Sequence, residues 1–296
     1  MDKRKLNNDE LGINSFSKVK VTTMNHIVEV QYLSNQNTKQ TIQKLDSERY
    51  VDLGTGEIKT FDRKETRGQN ENSLRKTFKR LRELINTNFV GVANELFITL
   101  TYRGELQTND VKKVYKDFSN FMKRLKYKYK DTSTIDYINV LEPHRSGNFH
   151  MHVLMRFNDV SNIYIENSIL AGIWANGFVS VQSLKDVDNI GAYVTAYLTD
   201  IETSNDSEGD LIEEKEVQNG IKKKFIKGGR LHYYPTGVNI YRTSRGIKEP
   251  IVEKMAYGKI QKKLGTATPN FKYGVELIDD TFKNTIIKEH YNLKRK

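Results

Sequence analysis

The chain has 296 residues, 37% hydrophobic and 10% aromatic with only 4 prolines, enough apolar material for a folded core in one large or two small domains. It contains no cysteine, which excludes disulfides and thiolate metal sites and agrees with a reducing compartment. A formal net charge of +11 favours a polyanionic partner over an acidic small molecule. The charged opening MDKRKLNNDE lacks the apolar core of a signal peptide, and no run nears the roughly 18 apolar residues that span a bilayer. The expected location is therefore cytoplasmic, with no membrane partner.

Residues 1–15 read as a loose polar tail. KVKVTTM (18–24) and HIVEVQYL (26–33) read as strands, and DLGTGEIKTF (52–61) as a hairpin turning at Thr55-Gly56. The period then changes. In NSLRKTFKRLRELINTN (72–88), Leu74, Phe78, Leu81, Leu84 and Ile85 recur at helical spacing, with Asn72 or Ser73 as N-cap and Arg75, Lys76, Lys79, Arg80 and Arg82 facing away.

ELFITLTY (95–102) is the strongest strand pattern. A helix follows from about Asn109 to Lys130, with Val111, Val114, Tyr115, Phe118, Phe121, Met122 and Leu125 as its apolar stripe. Strands IDYINVLE (135–142) and NFHMHVLMRF (148–157) flank the short connection PHRSGN. Then come a helix near 161–174, strand FVSVQSL (178–184) and a helix over 188–200. The order β-α-β-β-α-β-α predicts an α+β fold, a central antiparallel sheet flanked by helices. Farther on, the acidic block DSEGDLIEEKE (206–216) and the basic block KKKFIKGGR (222–230) read as solvated loops or a hairpin, and GVNIYRT (237–243) as a strand.

Alternation places Phe149, Met151, Val153, Met155 and Phe157 on the core face of their strand, and His150, His152, Leu154 and Arg156 on the other. Two imidazoles then stand roughly 7 Å apart along the strand, close enough to converge on one cation. A three-residue connection, Arg145-Ser146-Gly147, sets Glu142 opposite His150 and His144 opposite Asn148. Glu142, His150 and His152 then form a two-histidine, one-carboxylate set suited to Mg²⁺ or Mn²⁺. The plainer reading of the same residues is a pair of hydrogen-bonded strand histidines.

In DNIGAYVTAYLTD (188–200), Ile190, Val194, Leu198 and Ile201 make an apolar stripe, and Tyr193 and Tyr197 lie four apart on its flank. Tyrosines at a core margin serve packing in many helices. At this spacing they also present two phenols to one site. A phenol, with an ordinary pKa near 10, attacks a phosphodiester only when a metal polarises the phosphate.

FITLTY, HMHVLM and YVTAYLTD, in that order, resemble the three motifs of the HUH endonucleases, in particular rolling-circle replication initiators (Rep proteins) of Gram-positive plasmids and mobile elements. The resemblance is clearest over 95–200, with further likeness in 52–88 and in YRTSRGIKEP. It implies an HUH, RRM-like palm at 91–245. N-terminal strands and a basic helix, a candidate for DNA binding, precede it (1–90), and a basic C-terminal extension follows (246–296). It also implies a metal-dependent nickase and strand transferase. Tyr197, or Tyr193, becomes joined to a DNA 5′-phosphate at an origin and frees a 3′-OH, while Glu142, His150 and His152 hold Mn²⁺ or Mg²⁺.

Where that family carries a lysine three residues after a tyrosine, this chain has Ala196 and Asp200, leaving Lys185 or a C-terminal basic residue as the expected substitute. The expected DNA contacts are Lys112, Lys113, Lys116, Lys123, Arg124 and Lys126 together with the 222–230 run. No G-x-x-x-x-G-K-[ST] motif occurs, so unwinding and synthesis fall to a host helicase and polymerase. A transposase or mobilisation nickase with the same chemistry, and a non-catalytic DNA-binding protein on the same fold, are the alternatives.

Overall fold

The computed structural model describes residues 2–35, 40–61, 71–144, 148–199, 201–203, 212–217, 221–226, 233–234, 237–279 and 282–295. For 71, 72, 196, 197, 199, 201–203, 212–217, 221–226 and 279 the description covers the backbone alone. In chain order the elements begin with β1 (Asp2–Lys5), β2 (Lys18–Met24), β3 (Ile27–Leu33), β4 (Ile42–Lys44), β5 (Arg49–Asp52) and β6 (Ile58–Thr60). Next come α1 (Glu71–Asn88), β7 (Glu95–Tyr102), α2 (Val111–Lys128), β8 (Ile135–Pro143), β9 (Phe149–Phe157), α3 (Asn167–Trp174), β10 (Gly177–Ser183) and α4 (Ile190–Thr199). The remainder is β11 (Ile201–Thr203), β12 (Ile212–Val217), β13 (Ile221–Ile226), β14 (Tyr241–Thr243), β15 (Ile251–Ala256), α5 (Tyr257–Leu264), β16 (Phe271–Asp279) and β17 (Phe282–Asn292). The fold is α+β, with antiparallel sheets and five α-helices among the described residues.

The chain divides into two compact units: Met1–Thr23, Val28–Glu65 and Ile251–Lys296 form one, Met24–Ile27 and Thr66–Pro250 the other. The first unit is built on a six-stranded sheet in the order β1-β16-β17-β3-β2-β15, with the small sheet β4-β5-β6 beside it in sequence. Its core gathers Val19, Val21, Val28, Val30, Met255, Tyr257, Ile260 and Tyr291. The expected polar tail is partly structured: Asp2–Lys5 pairs with Val275–Ile278, and Leu6 and Leu11 are buried. Both leucines close over Gly274, where an added Cβ would meet them at 2.8 and 2.6 Å.

The second unit carries the motifs. Its five-stranded sheet runs β10-β7-β9-β8-β14, antiparallel at every pairing. The two faces bury different sets. Leu96, Ile98, Leu100, Met151, Val153 and Met155 meet Val114, Phe118, Phe121, Leu125 and Trp174 of α2 and α3. Phe97, Ile138, Val140 and Leu154 meet Leu74, Leu81 and Ile85 of α1 and Ile190, Val194 and Leu198 of α4. The period-2 alternation of the strands thus sorts the helices into two layers around one sheet.

Several boundaries differ from the sequence reading. The helix expected at 72–88 begins at Glu71, so Asn72 and Ser73 lie inside its first turn. Helix α2 starts behind Asp110, whose carboxylate caps the N–H of Lys112 at 2.8 Å. Helix α3 begins only at Asn167, because Asn94 Nδ2 ties the carbonyls of Phe157 and Val160, at 2.8 and 2.9 Å, into an extended approach. The strand expected over 237–243 is confined to Tyr241–Thr243. Of the acidic and basic blocks, 212–217 and 221–226 pair as a hairpin, and the rest of both runs lies outside the described residues.

Candidate active site

The β8–β9 ladder sets Glu142 opposite His150 and Val140 opposite His152. The N–H of His144 donates to the carbonyl of Asn148 at 2.7 Å, the register a three-residue connection requires, while Arg145, Ser146 and Gly147 themselves lie outside the described residues. On the neighbouring strand Thr99 stands opposite His152. Glu142, His152 and Thr99 therefore share one sheet face, and all but Thr99 are buried.

His152 is fully buried and bonded through both ring nitrogens. Nε2 meets the Glu142 carboxylate, and Nδ1 lies 3.1 Å from Thr99 Oγ1. With a proton on Nε2 donated to the carboxylate, the threonine hydroxyl donates to Nδ1; the opposite tautomer reverses the Thr99 bond and leaves Nε2 as a lone pair. Thr99 serves both states because a hydroxyl donates or accepts. Burial alone lowers the His152 pKa to about 3. His150 is half-buried, its ring stacked on His144 at 5.7 Å between centroids, and its pKa falls to about 4 through burial, then through the like charges of His152 and His144. Both histidines are consequently neutral near pH 7, the form in which imidazole binds a metal.

The chemistry of this donor set fits a divalent ion that accepts nitrogen and oxygen: two neutral imidazoles and a carboxylate on one face. The three side chains are engaged with Thr99, His144 and one another, and among the described residues no three His, Asp or Glu side chains already surround a common metal position. Coordination at His152 requires the tautomer in which Nδ1–H donates to Thr99.

Helix α4 covers the same face. Ile190, Val194 and Leu198 are buried against it, and the N–H of Gly191 donates to Asn86 Oδ1 of α1 at 2.8 Å. A Cβ on Gly191 would lie 2.5 Å from that oxygen and 2.8 Å from the carbonyl of Arg82, so the two helices approach as closely as only glycine permits. Tyr193 is exposed, with its ring edge-on to Phe97 at 6.3 Å, and Phe97 stacks on His152 at 5.4 Å. The chain of rings Tyr193–Phe97–His152 ties the tyrosine helix to the histidine strand. Tyr197 follows one turn later on α4; its side chain, like Asp200 altogether, lies outside the described residues. Lys185 is exposed in the turn after β10, whose last residue pairs with Leu96, three residues along β7 from Thr99.

All six expected DNA contacts on α2 (Lys112, Lys113, Lys116, Lys123, Arg124 and Lys126) are exposed. Their helix packs on the opposite face of the sheet from Glu142, His150 and His152. Arg124 donates to the carbonyls of Ile173 and Trp174 at 2.7 and 3.0 Å, closing the C-terminus of α3, and Lys113 pairs with Asp117 at 2.8 Å. Of the 222–230 run, Lys222, Lys223 and Lys224 fall on β13.

Thr99, Phe97 and Asn86 escaped the sequence reading. The first two were within reach, since the alternation of FITLTY puts both on one face of the strand beside HMHVLM. Asn86 carries no such signal, because a polar residue late in a basic helix reads as solvated.

No helix among the described residues is long and apolar enough to cross a membrane. No curated protein and no solved structure matches this chain. Residues 95–202, from the first residue of β7 through α4 and into β11, match the family of the replication-associated protein ORF2.

Proposed function

We propose that this chain is a cytoplasmic rolling-circle replication initiator that nicks single-stranded origin DNA through a tyrosine. The observation carrying this reading is one shared sheet face: register-paired Glu142 and His150, with His152 beside them, lie under the tyrosine-bearing α4. That face falls within the replication-associated match. The strand order β10-β7-β9-β8, with α2 and α3 on the far face, supports the RRM-like palm of such enzymes.

Glu142, His150 and His152 would hold one Mg²⁺ or Mn²⁺. When bound, the ion supplies Lewis-acid polarisation of the scissile phosphate. The side chains do the rest. The Tyr197 oxygen, with Tyr193 as the alternate, attacks phosphorus and forms a P–O bond as the bond to the 3′-oxygen breaks, giving a 5′-phosphotyrosine and a free 3′-OH. The ester retains the bond energy, so attack by a 3′-OH reverses the step and rejoins ends without ATP. Thr99 fixes the His152 ring, and Phe97 fills the space between that ring and α4. A host helicase and polymerase would use the freed end.

The test is incubation with single-stranded DNA from beside its own gene and Mn²⁺, followed by a denaturing gel. A covalent protein–DNA adduct is expected, and its absence on every strand tried sinks the nicking reading. A second reading, a non-catalytic DNA-binding protein on this fold, is favoured by Ala196 and Asp200 at the positions where the family carries lysine. It predicts origin binding with no adduct.

A further inference from the structure

On the far side of the same unit, an open groove of ≈ 790 Å³ runs between the C-terminal part of α2 and the edge formed by β8 and β14. Lys126, Lys130 and Arg245 line it, with Tyr137 and Ser244 between them. Arg242, on β14, extends the row: its guanidinium lies 3.4 Å over the Tyr115 ring of α2. Among the described residues none of these four cations forms an ion pair, unlike Lys113 of the same helix. Asp136 is the single acidic residue in the lining, and its carboxylate is held by Ser244 Oγ at 2.8 Å, Asn158 Nδ2 at 3.0 Å and Arg156 at 3.5 Å. Its charge is answered from the strand side, which leaves the lysines and arginines facing the opening uncompensated.

We infer that this groove is a second DNA site, one that holds the phosphate backbone of duplex DNA; the inference rests on the DNA-processing role proposed above. The arrangement of aromatic rings separates duplex from single strand. Proteins that grip single strands offer open aromatic faces to unstacked bases. Here Arg242 covers Tyr115 and Lys126 sits 5.7 Å above Tyr137, so those ring faces are already taken by cations. What remains is a row of positive charge with side-chain hydroxyls, the chemistry that grips phosphates without reading bases. Its placement on the sheet face opposite Glu142, His150 and His152 keeps duplex and cleaved strand on separate surfaces.

The experiment is fluorescence anisotropy of the full chain with a labelled blunt duplex of arbitrary sequence, titrated at several salt concentrations. The same measurement is made on an equal-length single strand, and adduct formation on single-stranded origin DNA is assayed in parallel. Lys130→Glu with Arg245→Glu is expected to weaken duplex binding about tenfold or more and to reduce the salt slope by about 2. Single-strand affinity and adduct yield stay within about twofold on the same argument, since the altered charges lie on the other face. Lys130→Gln with Arg245→Gln, checked for an unchanged unfolding temperature, must move duplex binding in the same direction. Unchanged duplex affinity and slope overturn the site, as does an equal loss of single-strand affinity. If the parent chain forms no adduct while the groove variants still lose duplex binding, the nicking reading falls and the groove stands.

Discussion

Thr99 and His152 face each other across β7 and β9, hydroxyl to Nδ1 at 3.1 Å, and this contact orients the buried ring toward Glu142. Thr99→Val keeps the shape and removes the hydrogen bond. It leaves a buried ring nitrogen unsatisfied at a cost of about 1–3 kcal/mol. It also frees the ring to change tautomer, so Mn²⁺ affinity should fall about 10–100-fold. Calorimetric titration with Mn²⁺ checks this, and an affinity equal to the parent's would show that Thr99 does not orient a ligand.

The depressed histidine pKa values set an acid sensitivity. Both native values lie below the ordinary 6.5, at about 4 for His150 and about 3 for His152. The unfolded chain therefore binds protons below 6.5 that the native chain refuses. Stability is complete above that pH and is lost as pH falls toward 4 and then 3, by up to about 1.4 kcal/mol per pH unit for the buried His152 and less for half-exposed His150. With EDTA present to keep metal out, urea unfolding at pH 7, 6 and 5 should give a falling midpoint. The double variant His150→Ala, His152→Ala should flatten that fall and abolish Mn²⁺ binding; a parallel fall in both proteins would refute the assignment.

The two tyrosines separate by substitution. Tyr197→Phe should abolish the adduct, while Tyr193→Phe keeps its ring against Phe97 and should retain most of it. Loss in Tyr193→Phe with activity intact in Tyr197→Phe would reverse the assignment. Loss only in the double variant would mean that either can attack.

Gly191→Ala tests how α4 is held. Helix propensity alone predicts stabilisation by about 1 kcal/mol. The new methyl would meet Asn86 Oδ1 at 2.5 Å and the Arg82 carbonyl at 2.8 Å, and such overpacking costs about 1–3 kcal/mol. The packing term should win, because one of the two clashing atoms is backbone. A lowered urea midpoint and a reduced adduct yield are expected; a raised midpoint would show that α1 and α4 separate freely.

The site was legible because its geometry is local. A period of two put His150 and His152 on one face, and a short turn brought Glu142 opposite, so a few residues of sequence carried the whole arrangement. The face that α2 covers was not legible: an amphipathic helix announces a buried stripe without saying which side of the sheet receives it. The lysines of α2 were therefore placed on DNA with no knowledge that the sheet lies between them and the histidines. Strand β1 was hidden for a different reason. DKRK is exposed along its length, without alternation, and its partner β16 lies near the other end of the chain, Arg4 opposite Glu276, so nothing local marks it as a strand.

That distant pairing also orders events in time. The first unit joins β1–β3 to β15–β17, whereas the second is nearly continuous from Thr66 to Pro250. On a ribosome, the second unit can finish its sheet while β1–β3 are still waiting for partners that have not been translated. High contact order belongs to one unit and low contact order to the other, so a single chain carries an early-folding enzyme-like module inside a late-folding frame.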